Sequence, residues 1–143
     1  MLGLEASPLI AALTRWGLQD LSAENADARS ETIQAAGRIS VLNVNHKEFL
    51  TALPTRSFDV IYFDPMFRHA KPASCGIRSL RSFAEQQALC KDSIDQALRV
   101  ARSRVVVKEA RGSSEFARLG IRRFAGGRYS PVQYGILNVE DKI

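Results

Sequence analysis

Asp64-Pro65-Met66-Phe67 directly follows the hydrophobic run Phe58-Asp59-Val60-Ile61-Tyr62-Phe63. An acid, a ring-locked residue and an aromatic side chain at the end of a strand suit one kind of chemistry. An exocyclic amine on an aromatic base is a poor nucleophile, because its lone pair is delocalised into the ring. A carboxylate and a neighbouring backbone carbonyl that accept its N–H bonds favour a more pyramidal nitrogen and aim its lone pair at an electrophilic methyl group. Pro65 fixes φ and stiffens the loop. Phe67 offers an aromatic face on which a base that has left its stack can rest. The plainer alternative is a strand-to-turn Asp-Pro followed by a core Phe.

Two further residues hold chemically useful positions. In an open parallel sheet, ligands bind beyond the carboxyl ends of the strands. Glu5 ends the short apolar run Leu2-Gly3-Leu4 and stands just ahead of a helix start. An acid there accepts hydrogen bonds from ribose hydroxyls in nucleotide-binding α/β folds, and it also suits the helix macrodipole. Asn45 lies just past a second strand, where its amide could meet an adenine edge or simply form a turn.

The elements that must position these groups can be read from periodicity. Ser7 reads as an N-cap and Pro8 as the first residue of a helix. Leu9, Leu13 and Trp16 recur at i, i+4 and i+7, which predicts an amphipathic helix, with Gly17 interrupting the pattern and the polar stretch after Leu21 extending or ending it. A strand is expected over 39–44, a short helix over 46–53 closed by Pro54, and a strand over 58–63 buried on both faces. The connection 64–80, with Pro65, Pro72 and Gly76, reads as irregular. Phe83, Cys90, Ile94, Ala97 and Ala101 follow helical spacing, with the helix ending near Ser103 ahead of a strand at Val105-Val106-Val107. A short helix at 114–119 precedes a hairpin with strands at 121–124 and 132–137. Alternating strands and helices ending in two adjacent strands predict one three-layer α/β domain over residues 1–143, with an antiparallel edge.

Composition narrows the classes. The chain has 143 residues, 45% of them hydrophobic, which suffices for one core. It contains no apolar run of the roughly 20 residues a membrane helix needs, and its start lacks the pattern of a signal peptide, so a cytoplasmic location and no membrane partner are expected. Cys75 and Cys90 are too few for a disulfide framework, and neither they nor His46 and His69 have metal-site spacing, so no metal is expected. The net charge is +5, unevenly placed. Residues 1–66 carry five Lys/Arg and eight Asp/Glu, while 67–143 carry fifteen and seven. Arg68, Lys71, Arg78 and Arg81 lie in the connection after the motif, and Arg99, Arg102, Arg104, Lys108, Arg111, Arg118, Arg122, Arg123 and Arg128 follow. Such a run suits nucleic-acid phosphates, or is a solvated basic surface.

The segment 58–69, together with Arg104-Val105-Val106-Val107-Lys108, resembles the ribosomal RNA small subunit methyltransferase J family of class I methyltransferases. Glu5, Pro8, Ala11-Ala12-Leu13 and Gly17-Leu18 are similar to that family's second strand and following helix. The resemblance implies a Rossmann-like sheet with helices on both faces and a C-terminal antiparallel hairpin. It implies transfer of a methyl group from S-adenosylmethionine to the exocyclic amine of a guanine in ribosomal RNA. By position, Glu5 would hold the cofactor ribose and Asn45 would sit by the adenine. Asp64 and Phe67 would hold the target base, on a catalytic loop stiffened by Pro65, with Asp64 also beside the cofactor. Arg68, Lys71, Arg78, Arg81 and Lys108 would meet the nucleic acid.

One feature departs from the family. Class I methyltransferases open with a strand and a Gly-rich turn that approaches the methionine end of the cofactor. Here the ribose acid is already residue 5, and no such turn precedes it. The sequence therefore reads as an N-terminally truncated domain without its first, central strand. A homo-oligomer that compensates for that strand, or a rearranged sheet, is expected, with cofactor binding weak or absent in this chain. The competing readings are a catalytically silent RNA-binding relative, and an amine methyltransferase acting on DNA or protein.

Overall fold

The computed structural model describes residues 1–23, 30–65 and 88–142. The chain divides into two compact units, Met1–His46 with Ser74–Glu85, and Lys47–Ala73 with Gln86–Ile143.

The first unit holds strand β1 (Leu2–Glu5), helix α1 (Pro8–Ala23), helix α2 (Ser30–Ala36) and strand β2 (Ser40–Asn43). β1 and β2 are parallel, with Glu5 opposite Asn43. The helix start at Ser7-Pro8 is as expected, and the Ser7 hydroxyl accepts the Ile10 amide at 3.4 Å. The expected core stripe on α1 is not its packing face. Leu9, Leu13 and Trp16 are 46%, 46% and 67% exposed, whereas Ala11 is fully buried. The helix approaches its neighbours through its small side, with Ala11 buried and Ile10, Gly17 and Leu18 half-buried. Gly17 does not interrupt it, and α2 follows where no separate helix was expected.

The second unit holds α3 (His46–Ala52, from its second residue), β3 (Phe58–Phe63), α4 (Lys91–Val100), β4 (Ala101–Ala110), α5 (Glu115–Arg118), β5 (Arg123–Ala125) and β6 (Val132–Asn138). Their sheet order is β3-β4-β6-β5. β3 runs parallel to β4, β6 runs antiparallel to β4, and β5 with β6 forms the expected C-terminal hairpin. β4 is far longer than the three-residue strand anticipated, because it is paired on both sides and starts as soon as α4 ends at Val100. In the sequence, the small apolar residues Ala97 and Ala101 continue the helical spacing across that junction. β1 and β3 lie in different sheets, and each is a terminal strand of its own.

One side of this sheet is the core. Val105 and Val107 from β4 meet Ile94, Ala97 and Leu98 from α4, Leu50 from α3, and Phe116, Leu119 and Ile121, with Ile61, Phe63 and Leu137 packed against them. At about 25 cal/mol per Å² of apolar surface removed from water, this cluster is the main source of the unit's stability. β3 is therefore buried on one side, not both. Phe58, Ile61 and Phe63 contribute to the core, while Val60 and Tyr62 are 47% and 51% exposed. The helices cover one face of the strand, and from Val60 onward the period of two alternates residues between the faces, while the register irregularity between Phe58 and Val60 lets Phe58 join the core side.

Candidate active site

Each unit carries part of the anticipated site at the carboxyl ends of its parallel strands. In the first unit, Glu5 closes β1 and its Oε1 accepts the Ser7 amide at 2.8 Å, which fixes the carboxylate at the start of α1. The second carboxylate oxygen accepts no hydrogen bond among the described residues. The Asn43 side chain donates to the Glu5 and Ala6 carbonyls at 2.9 and 3.1 Å, tying the two strand ends together. Asn45 follows two residues beyond β2, immediately before α3. Glu5 and Asn45 thus share one end of a parallel pair, and the acceptor left on Glu5 suits the vicinal hydroxyls of a ribose. The recess lined by Arg15, Leu18, Ala36 and Ser40 lies toward the amino end of β2 and does not include them.

In the second unit, Asp64 and Pro65 emerge from the end of β3. Phe63 pairs with Val107 and Tyr62 with Val106, so Asp64 comes level with Lys108 on the neighbouring strand. The Lys108 Nζ donates to Asp64 Oδ2 at 2.8 Å. On its other side Lys108 faces Tyr134 of β6 in the antiparallel register. Tyr62, Asp64, Lys108 and Tyr134 therefore gather on the face of the sheet opposite the core. Their electrostatics agree with this grouping. Hydrogen bonding to Asp64 holds the Lys108 ammonium above its ordinary pKa, against the opposing effect of its own partial burial. Partial burial, followed by the Asp64 charge, raises the Tyr62 phenol. The site thus keeps a positive ammonium against the Asp64 side chain and a neutral phenol beside it near neutral pH.

Phe67, Arg68, Lys71, Arg78 and Arg81 lie outside the described residues. Several other cations in the basic half are engaged within the chain. Arg99 donates to the Leu50 and Leu53 carbonyls, Arg102 to Asp59 and the Arg56 carbonyl, Arg111 to the Gly127 and Ser130 carbonyls, and Arg118 to Glu115 and the Leu89 carbonyl. Their charge remains, but part of their hydrogen-bonding capacity is committed to the fold. Sequence reasoning did not single out Tyr62, Tyr134 or Asn43. Tyr62 was accessible to it, since residues i and i+2 on a strand share a face. Tyr134 was not, because only the pairing of β4 with β6 brings it to Lys108.

Several known proteins resemble this chain in sequence or in structure. Residues 2–120 match the family model described as "Putative SAM-dependent methyltransferase". The chain is 39% identical over 121 residues to the uncharacterized protein YpiP of Bacillus subtilis, covering 84% of this chain and 45% of that protein. It is 35% identical over 111 residues to the ribosomal RNA small subunit methyltransferase J of Thioalkalivibrio sulfidiphilus, covering 73% and 41%. The corresponding Cellvibrio japonicus protein is 33% identical over 112 residues, covering 76% and 42%. The chain thus spans less than half the length of these relatives. In structure it resembles the SAM-dependent methyltransferase NGO1261 of Neisseria gonorrhoeae, with a TM-score of 0.65 at 22% identity, over 96% of this chain and 51% of that one. This likeness supports the Rossmann-like α/β fold. Among the described residues, no helix is long and apolar enough to cross a membrane. The chain belongs to the SAM-dependent methyltransferase family, whose cofactor is S-adenosylmethionine.

Proposed function

We propose that this chain carries the base-holding part of a methyltransferase acting on an exocyclic amine of a nucleic-acid base, with guanine in ribosomal RNA as the substrate. The observation that carries this reading is Asp64 at the end of β3, half-exposed and held by Lys108 at 2.8 Å. A carboxylate placed there accepts an amine N–H, orients the nitrogen lone pair and stabilises the positive charge that grows on nitrogen as its fourth bond forms, before the surplus proton passes to solvent. Pro65 limits the freedom of the loop that delivers it. Phe67 supplies a stacking face for the base, and Arg68, Lys71, Arg78 and Arg81 meet phosphates around it. The cofactor supplies an electrophilic methyl group on a sulfonium sulfur. Glu5 holds its ribose hydroxyls and Asn45 its adenine edge. Positioning and exclusion of water, rather than a strong base, provide most of the rate. The choice of ribosomal RNA rests on the relatives named for that activity, and a cytoplasmic location follows from that substrate.

The test is transfer of labelled methyl from S-adenosylmethionine to small-subunit ribosomal RNA by the full-length protein. Asp64→Ala is expected to lower the rate by about 100-fold or more. Undiminished incorporation in that variant removes Asp64 from its role. RNA binding without incorporation by the wild-type protein identifies a catalytically silent relative.

A further inference from the structure

Lys108 was expected from sequence to contact nucleic acid, and its surroundings assign it a different task. We propose that Lys108 is a positioning residue for Asp64, holding one carboxylate oxygen so that the other is presented to the target amine. This inference rests on the base-holding role of Asp64 proposed above.

Three observations support it. The first is geometric. The Nζ to Oδ2 distance is 2.8 Å, within the range of a charge-assisted hydrogen bond. The second is the origin of the contact. Lys108 and Asp64 are 44 residues apart in sequence, and the parallel register of β3 on β4 places them side by side. A rigid strand carries each partner or the residue next to it, whereas a phosphate contact from a flexible surface lysine needs no such support. The third is environment. The Lys108 side chain is 28% exposed, less than the 46% of Asp64, and lies between Tyr62 and Tyr134 on neighbouring strands. Its ammonium already donates to the Asp64 carboxylate, so at least one of its three N–H donors is committed within the chain.

The consequence for the reaction is specific. An unrestrained aspartate rotates about its last torsion and shares its two oxygens among solvent and substrate. With Oδ2 fixed on the ammonium, Oδ1 has a defined direction from which to accept the amine hydrogen. A misplacement of about 1 Å at such a group costs on the order of 100-fold in rate.

The experiment compares Lys108→Met, Lys108→Gln and Asp64→Asn in the full-length protein. It measures single-turnover methyl transfer at saturating ribosomal RNA, the Kd for that RNA, and the dependence of Kd on salt. Lys108→Met is expected to slow transfer by about 10- to 100-fold while Kd and its salt slope stay at wild-type values. Lys108→Gln, which retains an N–H donor but no charge, is expected to recover part of that loss and keeps the test decisive if Lys108→Met does not fold. In the Asp64→Asn background, Lys108→Met should add little further loss. The proposal is overturned if either Lys108 variant transfers at the wild-type rate, or weakens RNA binding with a salt slope reduced by about 0.9, the signature of one lost phosphate contact. Wild-type transfer by Asp64→Asn overturns the parent reading instead, so the two failures are distinct.

Discussion

Gly135 lies against Phe116: a Cβ built on the glycine would stand 2.9 Å from the ring's Cδ1 and Cε1, and 2.6 Å from Ile121 Cγ2. β6 can therefore pass close over the short helix α5 and the turn that follows only because this position has no side chain. Phe116 is 4% exposed and meets Phe124 edge to face at 5.1 Å between ring centroids, so it cannot simply turn away. Gly135→Ala is expected to destabilise the protein by about 1–3 kcal/mol through overpacking, measured from the denaturant midpoint. In a Phe116→Leu background the added cost should fall by at least about 0.5 kcal/mol, because the smaller side chain yields space. A cost unchanged by that second substitution would place the clash elsewhere.

Cys90 caps α4. Its Sγ accepts the Ser93 amide at 3.4 Å and lies 3.2 Å from the Ser93 hydroxyl, at the position where serine, aspartate or asparagine is usual. Sulfur is a weak acceptor, so Cys90→Ser should retain stability or raise it slightly, whereas Cys90→Ala should cost about 1 kcal/mol. The pH dependence has a defined sign. The Ser93 hydroxyl lowers the thiol pKa most, against an opposing rise from burial, while the Ser93 amide and the Lys47 charge also lower it. Thiolate stabilisation is fully present above the unfolded thiol's pKa and is lost as pH falls through the lower folded value. Between those two values the wild-type protein should therefore gain stability relative to Cys90→Ser as pH rises, and thermal unfolding of both proteins from neutral to alkaline pH measures it.

The strand ends that hold the candidate site residues were legible in the sequence, because the signals there are local. Glu5 and Asp64 each follow a short apolar run, and Ser7-Pro8 marks a helix start that needs no tertiary information. What failed depended on neighbours. Leu9, Leu13 and Trp16 identified a helix, but which of its sides packs was decided by Ala11. The hydrophobicity of β3 suggested a strand covered on both faces, yet its position at the end of its sheet and the one-sided helices leave Val60 and Tyr62 exposed. Ala101 continued the helical spacing although the chain had already turned into β4. The Asp64–Lys108 pair falls between these cases. Both residues lie in short local motifs, but their contact exists only through strand register.

Arg99 illustrates why position matters more than charge in the basic half of this chain. Its Nη1 and Nη2 donate at 2.8 Å to the Leu53 and Leu50 carbonyls at the end of α3, and its Nε donates to Gln96 at 2.8 Å. Carbonyls at a helix C-terminus lie at the negative end of the macrodipole; the Leu50 carbonyl also accepts the Leu53 amide at 3.3 Å, and the planar guanidinium bonds the Leu50 and Leu53 carbonyls at once. The exposed pair Arg102–Asp59 has side chains 57% and 83% accessible and a contact of 3.1 Å, and pairs of that kind contribute about 0–1 kcal/mol. Arg99→Ala should therefore cost about 2 kcal/mol, while Asp59→Ala costs less than about 1 kcal/mol. Arg99→Lys should recover less than half of the loss, since one ammonium cannot reproduce the two-pronged contact. Raising the salt concentration should shrink the Asp59 effect but leave most of the Arg99 effect, because carbonyl contacts at a half-buried guanidinium are screened far less than an exposed ion pair. Equal salt sensitivity of the two variants in denaturant unfolding would show that Arg99 acts by charge alone.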